Sequence, residues 1–489
     1  MRAPLSPRAP PVGPLLVAAS TLIAACAQQA PPNPSPTDRF YFPAGLSFYL
    51  PDAGSTSGVL YVASGNYDRR YDQGNLLAVN LDRVQAPPQS GVPGGVSGLP
   101  PPATPTGDLT APVAFTDLQT QDGDVVEIQS FAAQMLRDPI GYGGRPRLWV
   151  ATRAEGDLLE GISTDSTGED LQCIPRAGST VAGRNCVESG RSLALEQLPQ
   201  GGAGLPAAPE PYGVGLSVED GLVPGELWVT HLRPGDSPPT SGLNQQNYAV
   251  HLDGRVPEPV VPIPQSFVPI GVGSGDSLYV GRRNVFVSGR TKPIITAPDV
   301  LIRLVDRVTL LPSFPQLTIQ FAVVEARGLA VRRDESRIYL ATLQPDTLLV
   351  IDVNGPDTAT PTLTVVRSVP LPGGPNAVRI IDRGVGRGDV VAISCQLDGS
   401  VAFYDDEIGG LGAIVEGVGL SPYDIAVDQR PEENVARLFV SNFADGRVAI
   451  IDVALESRGR PIGARLVATL GLQQGCIIQT NNSSCVGSE

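Results

Sequence analysis

"RLFVSNFADGRVAIIDV", residues 437–453, reads as two short apolar strands around a polar turn, and nearly the same wording occurs at 337–353 as "RIYLATLQPDTLLVIDV". Followed along the chain, the phrase becomes a unit. It has a small or Pro-led opening, an apolar strand, an aromatic-Val-small strand, a polar turn, and an alternating strand that ends in Asp. Seven passages match it, at 43–82, 126–163, 211–253, 268–306, 326–352, 375–405 and 422–452. Their middle-strand residues Tyr61, Trp149, Trp228, Phe286, Tyr339, Ala392 and Phe439 stand 88, 79, 58, 53, 53 and 47 residues apart.

Repeats of about 40–50 residues that carry several strands each are the signature of propeller blades. A four-stranded blade has two apolar faces and cannot cover both alone, so blades stack around an axis and each completes its neighbour's core. Val448 and Ile450 alternate with Ala449 and Ile451, apolar on both sides, as a sandwiched strand requires. The pattern predicts an all-β chain, a β-propeller of seven four-stranded blades over 40–475. An eighth blade would have to hide in 86–125. The terminal acids Asp82, Asp253, Asp306, Asp352, Asp405 and Asp452 fall where strands give way to turns, and turn capping is their expected role.

Composition agrees. Gly (55) and Pro (48) exceed a fifth of the 489 residues and interrupt nearly every stretch long enough for an amphipathic helix. The Pro/Gly-rich stretches 86–107 and 198–211 read as loops. A net charge of −15 with no basic block opposes a phosphate backbone, which excludes nucleic acid as a partner.

The start of the chain sets an address. Arg2 and Arg8 precede an apolar run from Leu15 to Ala25, about eleven residues, shorter than the roughly 20 that cross a bilayer. "IAAC", Ile23 to Cys26, resembles the bacterial lipobox, which implies a signal peptide over 1–25 and lipidation of Cys26. Residues 26–39 then form a polar, Pro-rich tether. The expected location is the bacterial envelope, with a membrane partner reached through the lipid anchor. Ala27 after the cysteine favours the outer membrane by the same resemblance. Export suits disulfides, and the economical pairing is Cys173 with Cys186 and Cys476 with Cys485, the second closing a tail at 476–489. Cys395, in "VVAISC", reads as a buried small hydrophobe.

Catalytic chemistry is sparse. Only His231 and His251 are available as histidines, and no nucleophile elbow, zinc motif, Walker loop or dinucleotide fingerprint occurs. Two acidic loops could supply calcium oxygens, Asn66, Asp68 and Asp72 in one, Asp165, Glu169 and Asp170 in the other. Neither has EF-hand order, and Arg69 and Arg70 oppose a cation. No metal or cofactor is expected.

"IYLAT…LLVID" and "LFVSN…VAIID" resemble the YVTN-type repeats of seven-bladed β-propellers, closely from 326 onward. In such propellers the first strand of each blade lines the central channel. The resemblance therefore implies a mouth formed by Ala44, Ile128, Tyr212, Ile270, Arg327, Asn376 and Tyr423. Tyr212, Arg327, Asn376 and Tyr423 are the candidate ligand-binding residues, with Arg327 as charge anchor for an anionic or hydroxylated ligand. The expected function is a non-enzymatic, membrane-anchored binding or scaffold module for a protein, glycan or small molecule. The alternative is a lactonase-, lyase- or quinone-dependent dehydrogenase-like enzyme with its site at the channel.

Overall fold

In a computed structural model, residues 33–473 are described, apart from 52–56, 89–94, 106–110, 143–144, 154–157, 176–182, 188–191, 195–209, 218–225, 233–245, 254–263, 273–274, 290–298, 320–324, 385–386, 431–433 and 456–461. Cys26, Cys476 and Cys485 lie outside them.

Seven antiparallel sheets follow one another along the chain, each with a four-strand path in sequence order, and together they make a seven-bladed propeller. The innermost strands, in blade order, are Pro43–Tyr49, Met135–Tyr142, Pro211–Leu216, Leu278–Val280, Glu325–Val331, Pro375–Ile381 and Pro422–Arg430. The one helix among the described residues is a single 3-10 turn at Asp122–Asp124, and none is long and apolar enough to cross a membrane.

Seven apolar clusters lie between adjacent blades, including one between the last blade and the first. Strand Val59–Ser64 shows how. Leu60 and Val62 turn toward blade 7, while Val59, Tyr61 and Ala63 turn toward blade 2. Val448 and Ile450 pack on blade 1, and Ala449 and Ile451 on blade 6, as their alternation predicts. Period-two alternation with both phases apolar is what a strand buried on both faces needs.

The ends of the repeated phrase meet. Arg437 and Asp452 are register partners on neighbouring strands. Arg437 Nε donates to Asp452 Oδ1 at 2.6 Å and Nη2 to Oδ2 at 2.8 Å. Arg337 and Asp352 repeat the arrangement in blade 5, with Nε donating to Oδ1 at 2.8 Å. Asp306 and Asp405 likewise receive an arginine, Arg283 and Arg383. The expected turn capping accompanies it at both: Asp306 accepts from the Val308 and Thr309 amides, and Asp405 from the Glu407 amide.

Ring closure was not legible in the repeat. Between the third and fourth strands of blade 1 the chain leaves the blade. It forms a small hairpin, Gln85–Ala86 with Val96–Ser97, and lays Val113–Phe115 parallel to Gly463–Leu470 as a fifth strand of blade 7. Val84, Ala86, Leu99, Phe115 and Leu118 fill the seam between blades 7 and 1. Asp452 Oδ2 also accepts the Ala103 amide at 3.1 Å. The stretch 86–125 thus supplies a clasp rather than a blade.

Two repeat units were set out of phase by one strand. Val125–Ile128 is the outermost strand of blade 1, paired with Gly74–Asn80, and Pro264–Val272 is the outermost strand of blade 3. The innermost strands of blades 2 and 4 come next in the chain.

Cys173 and Cys186 form a disulfide across a separation of 13 residues, buried between blades 1 and 2. Cys395 is an unbridged, buried thiol whose pKa burial pushes up to about 12.

Candidate functional site: the central channel

Residues of all seven innermost strands, or immediately preceding them, line a cavity of about 410 Å³ on the axis. Their cross-strand register allows the channel to be read in layers. Just below the rim, Leu46, Met135, Val214, Leu278, Leu329, Val378 and Ile425 each pair with the residue that follows the middle-strand aromatic, or Ala392 in blade 6. All seven are aliphatic or Met, and six face the cavity.

Two residues earlier is the rim itself. Five strands carry a bulge there, at Pro43/Gly45, Pro211/Val214, Ala326/Leu329, Pro375/Val378 and Pro422/Ile425. A bulge inserts a residue and re-aims its side chain. The bulges contain Ala44, Tyr212, Arg327, Asn376 and Tyr423. Ile128 and Ile270, expected at this level, lie in outermost strands, and their places belong to Ala133 and Asp276.

Three of the four candidate side chains come together. Tyr212 and Tyr423, from blades 3 and 7, share a hydrogen bond between hydroxyls at 2.5 Å, so they bridge the mouth. Asn376 Nδ2 donates to the Tyr423 carbonyl at 2.8 Å. Arg327 is apart from them. Its Nη2 donates to Glu325 Oε2 at 2.7 Å, so its charge is already answered by a carboxylate.

Blades 1 and 2 place only alanine at the rim, and loop residues occupy the space. Phe443 packs on Phe42, Tyr67 and Tyr423 with ring centroids 5.2, 4.8 and 5.4 Å apart. The Arg153 guanidinium lies 5.6 Å from both the Tyr67 and Tyr212 rings and donates to the Tyr67 hydroxyl at 2.5 Å. This aromatic cap was not foreseen, because Phe42, Tyr67, Arg153 and Phe443 stand just outside the strands of the repeat, where the pattern sets no contact between blades.

Below the collar the lining includes two arginines. Arg379 is held by Asp424, Nη2 to Oδ1 at 2.6 Å, and by the Ile425 carbonyl at 3.0 Å. Arg137 stands against the Tyr49 ring, 5.5 Å from its centroid. The two acidic loops have other partners. Asp68 pairs with Arg70, Glu169 with Arg83 and Asp170 with Arg184, and Asp72 accepts the Asn33 amide. Among the described residues no group of three metal-ligating side chains converges.

No protein-family model matches the sequence, and no characterised protein matches it in sequence. Among solved structures, hydrazine synthase of Kuenenia stuttgartiensis is similar at 11% identity over 88% of this chain and 99% of that one, with a TM-score of 0.49. A periplasmic gluconolactonase of Pseudomonas aeruginosa is similar at 13% identity over 66% and 82%, with a TM-score of 0.44. A Lactobacillus plantarum protein is similar at 14% identity over 76% and 82%, with a TM-score of 0.41. At these levels the likeness concerns chain shape, and the assignment of the fold rests on the strand topology described above.

Proposed function

We propose that the chain is an exported, lipid-tethered propeller that binds a small ligand in its central channel without transforming it. The observation that supports this reading is the axial cavity of about 410 Å³, where Ser47, Gln134, Ser277 and two arginines stand among aliphatic side chains. Small-molecule sites are typically concave, largely apolar spaces of about 300–1,000 Å³ with a few placed polar groups. The "IAAC" stretch and the Pro-rich residues after it support the tether. The Cys173–Cys186 disulfide fits an oxidising compartment. The repeat's resemblance to YVTN-type propellers, which was read from its wording alone, is compatible with this placement.

Two measurements test the reading. Cys26→Ser should abolish palmitate labelling and release the protein from the membrane fraction, and continued retention removes the tether. Native mass spectrometry of the full chain from its own envelope should find a small molecule that is lost from Ser47→Trp, a variant that fills the channel. A molecule kept equally by both proteins moves the site out of the channel.

A further inference from the structure

The seven blades act as internal controls for one another. One level below the middle of the innermost strands, six blades place Phe48, Leu216, Val280, Val331, Ile380 and Val427. Blade 2 places Arg137 there, paired with Leu148, where the other blades also have an aliphatic partner. Six blades fill this level with an apolar side chain, so stacking does not call for the arginine.

Its surroundings do not explain it either. Asp138, the adjacent carboxylate, is taken by Arg147, Nη2 to Oδ2 at 2.5 Å, with both side chains buried. Among the described residues Arg137 forms no salt bridge; its guanidinium stands against the Tyr49 ring, and Tyr61 and Asp138 are near enough to favour its charge without bonding it. Burial lowers its pKa from the usual arginine value, although such a group stays charged. A half-buried cation beside an apolar space, with no carboxylate bonded to it, leaves room for an anion to answer it. Arg379, the other cationic group lining the cavity, is already committed to Asp424.

We infer that the channel takes an amphiphilic anion, a carboxylate with an apolar body, its charge on Arg137 and its body against the collar of Leu46, Met135, Val214, Leu278 and Leu329. This rests on the channel-binding reading and adds the ligand's chemistry to it. Guanidinium and carboxylate match in a two-pronged geometry, and the pair strengthens where water is scarce.

The test uses octanoate and octanol as probes, titrated calorimetrically against the full chain in detergent and against Arg137→Leu. Leucine is what blade 3 carries at this level, so the substitution agrees with the repeat and should leave the unfolding midpoint in place. Octanoate should bind at least tenfold more tightly than octanol, and Arg137→Leu should lose at least tenfold for octanoate with octanol unchanged. Equal binding of the two probes, or undiminished octanoate binding by the variant, overturns the charge inference while leaving the channel reading intact. Binding of neither probe also overturns it, and the Ser47→Trp comparison then judges the channel separately.

Discussion

The cross-strand pair that begins and ends the repeated phrase occurs in blade 7 buried and in blade 5 partly exposed, which makes a matched experiment. Arg437 and Asp452 side chains are 2% and 3% exposed, against 24% and 35% for Arg337 and Asp352. Asp452→Ala strands a guanidinium that has two charged bonds to lose and also frees the Ala103 amide. Removing one member of a buried pair costs about 3–5 kcal/mol. Asp352→Ala removes a pair worth under about 1 kcal/mol at that exposure, and Asp406 still accepts from Arg337 Nη1 at 2.8 Å. Guanidinium unfolding followed by fluorescence should show a large fall in midpoint for Asp452→Ala and a small one for Asp352→Ala. The double variant Arg437→Leu/Asp452→Leu should recover part of the loss, since no orphaned charge remains. Equal midpoints for the two single variants, or a double variant worse than Asp452→Ala, would refute the reasoning.

Phe115→Ala should cost about 3–5 kcal/mol by opening a fully buried site in the seam between blades 7 and 1, whereas Val96→Ala, at an exposed position of the same excursion, should stay within about 0.5 kcal/mol; denaturant midpoints compare them. Glu160 is fully buried and accepts the Gln129 amide at 2.8 Å, and desolvation raises its pKa from 4.5 to about 8. The unfolded chain releases that proton near 4.5 and the folded chain only near 8, so stability is full below the lower value and falls as pH rises between the two, by at most about 1.4 kcal/mol per pH unit. Glu160→Gln should flatten that slope in midpoints measured across the window. Cys186→Ala should lower stability by about 3 kcal/mol, the worth of closing a short loop, and the reduced parent should match it.

The strands were readable because both phases of their alternation are apolar, a pattern set by stacking alone. Blade phase was readable where Pro43, Pro211, Pro375 and Pro422 open the innermost strand, and in blade 5, where Glu325–Val331 directly precedes the repeated phrase. Met135–Tyr142 and Leu278–Val280 lack that mark, and the apolar outermost strands just before them took their place. This same slip hid Arg137. Once blade 2 is in register, an arginine in an otherwise apolar column stands out from the sequence itself. Val113–Phe115 was beyond reach, since three residues carry no period and their partner strand lies far along the chain. Tyr212 and Tyr423 could be aligned from sequence, but their hydrogen bond depends on which blades face each other across the axis.

The clasp makes the ring a late and collective event. The Ala103 amide and the Asp452 carboxylate that holds it are 349 residues apart, and Val113–Phe115 has no sheet to join until Gly463–Leu470 exists. A nascent chain is therefore an open arc with Phe115 and its seam uncovered, the kind of long-range pairing that folds slowly and exposes sticky surface meanwhile. Once the last strand arrives, every blade has two neighbours. Losing that strand would then cost the molecule its closure, so the fate of the first blade is decided by residues at the far side of the repeat.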